Sequence, residues 1–338
     1  MLPYASADEF VAAVTPFVDN GVAAGEAVLC IGGTDNIALL HETLAPRSTE
    51  QAHFVTSEEW FRHPARVLRD VYEAVDGFAV DGRQVRVLGE PFVTEARADG
   101  ASGWIRYEAV LNEVLSQHPA WLICAYHTGL VGEDLLDEGR RCHPQVTHAE
   151  GSRENLDYLP PSALWRQLDA VPLAEPDNLL HAQVVTEAAL ADARQAVSAL
   201  GRGAGLDLMD TVMFVHAVNE ATTNVVDHAY GLGTLRVWME PHRMVCEVAD
   251  LGPGIGDSFA GWLPPDPTTD AKRGLWLAHS FCDELEIRSS GAGTTVRMCS
   301  KPFPTASPDG TATPDGTATS NGGDSSGDRA TPPTVRDR

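Results

Sequence analysis
The run Asn219-Glu220-Ala-Thr-Thr-Asn224-Val-Val-Asp227-His228 places two incompatible faces on one element. Val215, Val218, Thr222, Val225, Val226 and Ala229 recur at three- and four-residue steps, which predicts a helix over 207–229 with an apolar face. Asp207 can cap it, because its carboxylate can accept orphan N–H bonds of the first turn. Glu220, Asn224, Asp227 and His228 fall at i, i+4, i+7 and i+8 and share a second, polar face. Such a helix needs an apolar layer to lie on, and the next segment supplies one. Leu235–Glu240 and Met244–Asp250 read as a hairpin around Pro241-His242-Arg243, with Met244, Cys246 and Val248 on the same side as Asp250. The second strand thus delivers one carboxylate beside the helix. The run Gly252-Pro-Gly254-Ile-Gly256 then lets backbone pass close to a ligand.

A third segment completes the pattern. Lys272-Arg273-Gly274-Leu275 opens an apolar helix through Leu277 and Phe281, followed by a strand from Leu285 and the run Gly293-Thr294-Thr295-Val296-Arg297. The start of that helix offers free N–H groups and a positive dipole end, suited to phosphate. An acid and an amide one turn apart, a strand ending in aspartate and a glycine loop are together what an ATP–Mg²⁺ site requires.

Glu-x-x-x-Asn-x-x-x-His, Asp-x-Gly-x-Gly, Arg-Gly-Leu and Gly-Thr-Thr-Val, over about Gln183 to Ser300, resemble the GHKL (Bergerat-fold) ATPase superfamily, and within it the anti-sigma-factor serine kinases of bacterial partner switching. The resemblance implies a mixed sheet backed by helices, a GHKL α/β sandwich, with ATP and Mg²⁺ as cofactors. It assigns Glu220 as general base toward a substrate serine, Asn224 as the Mg²⁺ ligand, Asp250 as acceptor for the adenine amino group, and Gly252 and Gly254 as the nucleotide floor. Asp227 and His228 would border the nucleotide, Lys272, Arg273, Gly274 and Leu275 would form the phosphate loop, and Thr295 would bring a hydroxyl near the adenine. Many relatives have glycine where this chain has Lys272. The prolines and Trp262 between Asp257 and Ala271 suit a movable lid over the nucleotide.

The amino-terminal half reads differently. Ala27–Ile31, Ala52–Val55, Gln84–Leu88 and Trp121–Tyr126 are short apolar runs separated by helical patterns near Ala7–Asp19, Asn36–Leu44, Pro64–Val75 and Trp104–Ser116. That alternation predicts a parallel sheet covered by helices. Gly32-Gly33-Thr34 follows the first of these strands but lacks the Gly-Lys-Thr ending of a phosphate loop. Gly25-Glu-Ala-Val-Leu29, His63-Pro-Ala-Arg66, Gly89-Glu-Pro91, Arg106-Tyr-Glu-Ala-Val-Leu-Asn112 and Cys124-Ala-Tyr-His-Thr128 resemble the MEDS sensory domain of methanogen and methylotroph proteins, similar in fold to the RecA/KaiC class. Glu90, Arg106, Tyr107, Glu108 and His127 are candidates for a sensory pocket, since several follow strand ends. His63, His118 and His143 each precede proline and read as turn or helix-boundary signals rather than a metal cluster.

The expected organisation is a sensory domain over 1–158, a linker over 159–180 with a short helix near Ala163–Leu168, an ATPase domain over 181–301, and a disordered acidic and polar tail over 302–338. The tail repeats Pro-Asp-Gly-Thr-Ala-Thr at 308–313 and 314–319 and cannot bury enough apolar surface to fold. With 48 acidic against 24 basic residues, a formal charge of −24, direct nucleic-acid binding is disfavoured and a basic protein partner is favoured. Six scattered cysteines without a Cys-x-x-Cys pair, no signal segment and no apolar run of membrane length predict a cytoplasmic protein with buried free thiols. The resemblance implies a kinase acting on an anti-anti-sigma (STAS) protein, holding a sigma factor, and pairing as a homodimer. A nucleotide-dependent binding switch without phosphoryl transfer is the alternative, and a sensor histidine kinase is weaker because no phosphoacceptor hairpin precedes the ATPase segment.

Overall fold
The computed structural model describes residues 1–301 except 61–63, 91–100, 149, 258, 264 and 266–272; for 64–66 and 101–102 it describes the backbone alone. Lys272, the greater part of the expected lid, and the expected tail lie outside the described residues.

The first half alternates as its apolar runs require: β1 (Leu2–Tyr4), α1 (Ala7–Ala24), β2 (Ala27–Gly32), α2 (Thr34–Thr43), α3 (Pro46–Gln51), β3 (His53–Thr56), α4 (Ser57–Trp60), α5 (Pro64–Phe78), β4 (Val85–Gly89), α6 (Ala101–Leu115), β5 (Ala120–His127), α7 (Glu133–Cys142), then a small hairpin of β6 (Gln145–His148) and β7 (Gly151–Glu154). The strands form a five-stranded sheet in the order β1-β5-β4-β2-β3, parallel throughout. β2 is buried along its whole length, because helices cover both faces. Val28 and Cys30 pack with Phe10, Val14 and Leu40 of α1 and α2. Ala27, Leu29 and Ile31 pack with Val67, Val71, Val110 and Val114 of α5 and α6. β1, at Leu2–Tyr4, is too short to announce itself by a period in the sequence.

A connecting helix α8 (Pro161–Asp169) leads to the second half: β8 (Leu179–Val185), α9 (Leu190–Gly203), α10 (Leu208–His228), β9 (Gly233–Glu240), β10 (Arg243–Asp250), α11 (Arg273–Ser280), β11 (Glu284–Ser290) and β12 (Gly293–Ser300). Its antiparallel sheet has the order β11-β12-β10-β9-β8. One face carries Leu235, Val237, Met244, Cys246, Val248, Val296 and Met298 and buries Phe214, Val218 and Val225 of α10 together with Leu275 and Ala278 of α11. On the other face Glu247, 3% exposed, accepts from Arg236 Nε at 2.9 Å and Arg297 Nε at 3.0 Å. That buried carboxylate is paired with two guanidinium groups. The connector closes over it, with Glu175 on Arg236 (2.7 Å) and Ala174 O accepting from Arg297 (2.9 Å).

The halves share an apolar cluster. Trp165 of α8, Trp262 and Trp276 of α11 are buried with Val67, Leu68 and Val71 of α5. Trp165 meets Trp262 edge-on at 5.5 Å and Phe259 at 4.6 Å between ring centroids. At its border the buried Arg106 of α6 pairs with Asp169 at 2.6 Å, which also pairs with Arg288 of β11 at 2.6 Å. Each buried Trp contributes on the order of 2 to 3 kcal/mol of apolar burial. All six cysteines are free and buried.

Candidate functional site
The carboxylate and amide of the polar helix face converge on one point. Asp207 caps α10, accepting from Asp210 N at 2.7 Å. Two turns of buried Ala217, Val218, Ala221, Thr222 and Val225 seat the helix on the sheet, leaving Glu220 and Asn224 half-buried. Both face the first turn of α11. A Cβ on Gly274 would stand 2.7 Å from Glu220 Oε2 and 3.8 Å from Asn224 Oδ1, so a larger residue here would push the Glu220 carboxylate aside. Asp227 and His228 lie one turn on and are exposed. Arg273 is exposed, whereas the Leu275 side chain turns into the core beneath α10 and offers a ligand only its backbone.

Asp250 ends β10 with its carboxylate fixed by backbone. Its Oδ1 accepts from Gly252 N at 2.7 Å and Thr294 N at 3.3 Å, which leaves Oδ2 without a partner among the described residues. Gly252 has no room for a side chain: a Cβ would stand 2.7 Å from Ala229 Cβ, so the loop lies against the end of α10. Gly254, at φ 79°, lies against the turn between β11 and β12, where Ser289 Oγ accepts from Ile255 N at 2.7 Å. Thr294, absent from the sequence-derived site, is on this face: it is buried, and its hydroxyl bonds Ser289 Oγ at 3.0 Å. Thr295 is not. It pairs with Ala249 and Arg288 across the strands and projects to the opposite side of the sheet. The alternation of strand faces, counted from the buried Val296, carries the signal that separates the two threonines.

The described start of the expected lid is anchored rather than free. Trp262 is 4% exposed and lies against the His279 ring at 4.2 Å. His279 Nδ1 donates to Gly261 O at 3.0 Å, and burial pushes its pKa down to about 4, with the hydrogen bond opposing. A histidine held neutral in the fold but titrating near 6.5 when unfolded stabilises fully above about 6.5 and loses that stability as pH falls toward 4. The shift corresponds to about 3 kcal/mol. His279→Gln retains a donor for Gly261 O and removes the titration. Unfolding midpoints of the two proteins between pH 7 and 4.5 should therefore diverge, wild type falling more steeply, and parallel curves would refute the assignment.

The five candidates for a sensory pocket do not form one site. Glu90, at the end of β4, accepts from Gly33 N (2.7 Å), Asn36 Nδ2 (2.8 Å) and the Tyr4 hydroxyl. Its carboxylate thus occupies the N-terminus of α2, where a phosphate-binding loop would hold its anion. His127 joins that cluster edge-on to Tyr4, ring centroids 5.0 Å apart. Arg106 faces the opposite way, into the contact with the second half. Glu108 lies in the interior beside Cys124 and His143, and Tyr107 lines a small cavity with it.

Residues 1–144 match the family model described as the MEDS (MEthanogen/methylotroph, DcmR Sensory) domain, and residues 184–300 match the histidine kinase-like ATPase domain. Over 91 residues, 24% of this chain, the sequence is 38% identical to an anti-sigma F factor of Caldanaerobacter subterraneus subsp. tengcongensis and 36% identical to one of Thermoanaerobacter pseudethanolicus. The chain spans 64% of the length of each of those relatives. The solved RsbU and RsbW domains of a Mycobacterium tuberculosis protein align with 19% identity and a TM-score of 0.27, over 36% of this chain and 32% of that one. The chain carries a MEDS domain at its amino end and a GHKL-like ATPase domain at its carboxyl end.

Proposed function
We propose that this chain is an ATP-binding anti-sigma regulator whose carboxyl-terminal domain transfers the γ-phosphoryl group of ATP to a serine of an anti-anti-sigma (STAS) protein, under control of its amino-terminal domain. The observation that carries the reading is the convergence of Glu220 Oε2 and Asn224 Oδ1 on Gly274 at the start of α11. Phosphoryl transfer depends on positioning and on neutralising charge, and one rigid helix offering an acid and an amide beside the start of a second helix meets both needs. Asn224 would hold Mg²⁺ through its amide oxygen, a ligand type that ion accepts, and the bound ion would neutralise phosphate charge. Glu220 takes the proton as the serine oxygen bonds to phosphorus and ADP departs. Asp250 Oδ2, oriented by the two backbone bonds to Oδ1, accepts from the adenine amino group. The 38% identity to an anti-sigma F factor supports the sigma-directed part of the reading.

Incubation of the chain with radiolabelled ATP and a candidate STAS protein tests it. Phosphoserine on the partner is the expected product. Tight ATP binding with no transfer to any cognate partner would instead make the chain a nucleotide-dependent switch. Asn224→Ala should weaken ATP binding about tenfold in the presence of Mg²⁺, a loss of about 1.4 kcal/mol, and leave metal-free binding unchanged. An unaltered metal dependence would remove Asn224 from that role.

A further inference from the structure
The MEDS domain encloses a group of side chains that the ATPase reading does not use. Glu108 of α6, Cys124 of β5 and His143 at the end of α7 are all buried, and their ligand atoms lie within 4.8 Å of one another. His143 Nδ1 donates to Gly139 O at 2.7 Å, so the ring's lone pair is on Nε2. That lone pair faces Glu108 Oε2 at 3.4 Å, and Oε2 has no hydrogen-bond partner. Two such atoms facing each other in the interior need a shared proton or a cation between them. The Met1 ammonium donates to Gln145 O at 2.9 Å and acts on Glu108 and Cys124 only through space. The Tyr126 hydroxyl is also buried beside the cluster and turned toward Glu108. Next to the group lies a cavity of about 20 Å³, lined by Glu108 and Cys124 among apolar walls, large enough for one water-sized ligand.

We propose that Glu108, Cys124 and His143 bind one divalent transition-metal ion of the zinc class, with the adjoining cavity supplying room for a fourth, non-protein ligand. The donor set of one sulfur, one imidazole nitrogen and one carboxylate oxygen is the mixture zinc and cobalt accept and magnesium or calcium do not. Bonds of about 2.0 to 2.3 Å require the donors to draw together by about 1 Å, within reach of side-chain rotation. The Gly139 carbonyl is the outer partner that metal-bound histidines typically have, fixing tautomer and ring orientation before the ion arrives. Asn155 Nδ2 on His143 O (2.8 Å) and Asn112 Nδ2 on Cys142 O (2.9 Å) hold the supporting backbone.

Titration of the metal-stripped full chain with Co²⁺ tests the site. One equivalent should produce a thiolate-to-cobalt charge-transfer band, and Zn²⁺ should abolish it. Cys124→Ser should remove the band, and His143→Gln should weaken Co²⁺ binding by at least about tenfold, the lower end of what even outer partners contribute. Cys142→Ser, a neighbouring buried thiol bonded to Glu138 O at 3.4 Å, should change neither. Absence of the band in wild type, or a band lost with Cys142 and retained without Cys124, overturns the proposal. Should the Cys124 or His143 variants fail to fold, X-ray absorption of the zinc-equilibrated wild type decides: one sulfur with a nitrogen and oxygen shell supports the site, and no bound zinc, or a shell without sulfur, overturns it.

Discussion
Glu220→Gln is expected to slow phosphoryl transfer by about 10² to 10⁴-fold, the range a positioned general base contributes, while ATP affinity stays within a factor of about three. Glutamine preserves the size of the side chain and its contact with Gly274, where Glu220 Oε2 is held close to the backbone of α11. It cannot take a proton. The isostere therefore separates proton removal from packing, which an alanine at this half-buried place would not. The helix itself should be unaffected, because its seat on the sheet comes from Ala217, Val218, Ala221 and Val225. Initial rates of phosphate incorporation into the partner serine, beside ATP titrations, give the two readings. A rate within tenfold of wild type would mean that Glu220 does not remove the proton.

The second large effect belongs to Gly254→Ala. At φ 79° an L side chain costs about 1 to 2 kcal/mol in the left-handed region even in open space. Here the space is closed: the new Cβ would overlap Ser290 O and stand 2.7 Å from Ser290 C, backbone atoms of the β11–β12 turn that cannot rotate away. Relief requires the loop after Asp250 to lift from that turn, breaking the Ile255 N to Ser289 Oγ bond and disturbing Asp250. ATP affinity should fall at least tenfold and the unfolding midpoint of the ATPase domain by roughly 5 °C. Gly256→Ala is the internal control, since its Cβ would meet nothing within 4 Å among the described residues. If both variants bind ATP equally well, the glycine floor is not part of the nucleotide site.

Those residues were legible because each follows from a local period. Glu220 and Asn224 share a helix face by their spacing, and Asp250 shares a strand face with Met244, Cys246 and Val248. The family resemblance, not a period, points to Thr295, whose side chain lies on the opposite face of β12 from Thr294. Only the register with β10 identifies Thr294 as the neighbour of Asp250. Contacts between distant segments were not legible. Trp262, read with its prolines as part of a cover, is buried by Trp165 and by residues of α5 nearly two hundred positions earlier in the chain. Arg106 reads as one of the pocket candidates, yet it pairs with Asp169 and lies near Glu286 of the other domain. Glu108, Cys124 and His143 come from two helices and a strand with no motif spacing to join them, and the proline after His143 suggested a boundary instead.

Helix α11 turns Leu275 and Ala278 into the ATPase core while Trp276 enters the core of the MEDS domain. The helix whose start lies beside Glu220 is therefore also a wall of the sensory domain. A wall held in common transmits in both directions: whatever factor a ligand of the first domain imposes on ATP affinity, ATP must impose on that ligand in return. Under the proposed function, a sensory ligand that shifted this wall would link nucleotide level to sensory input.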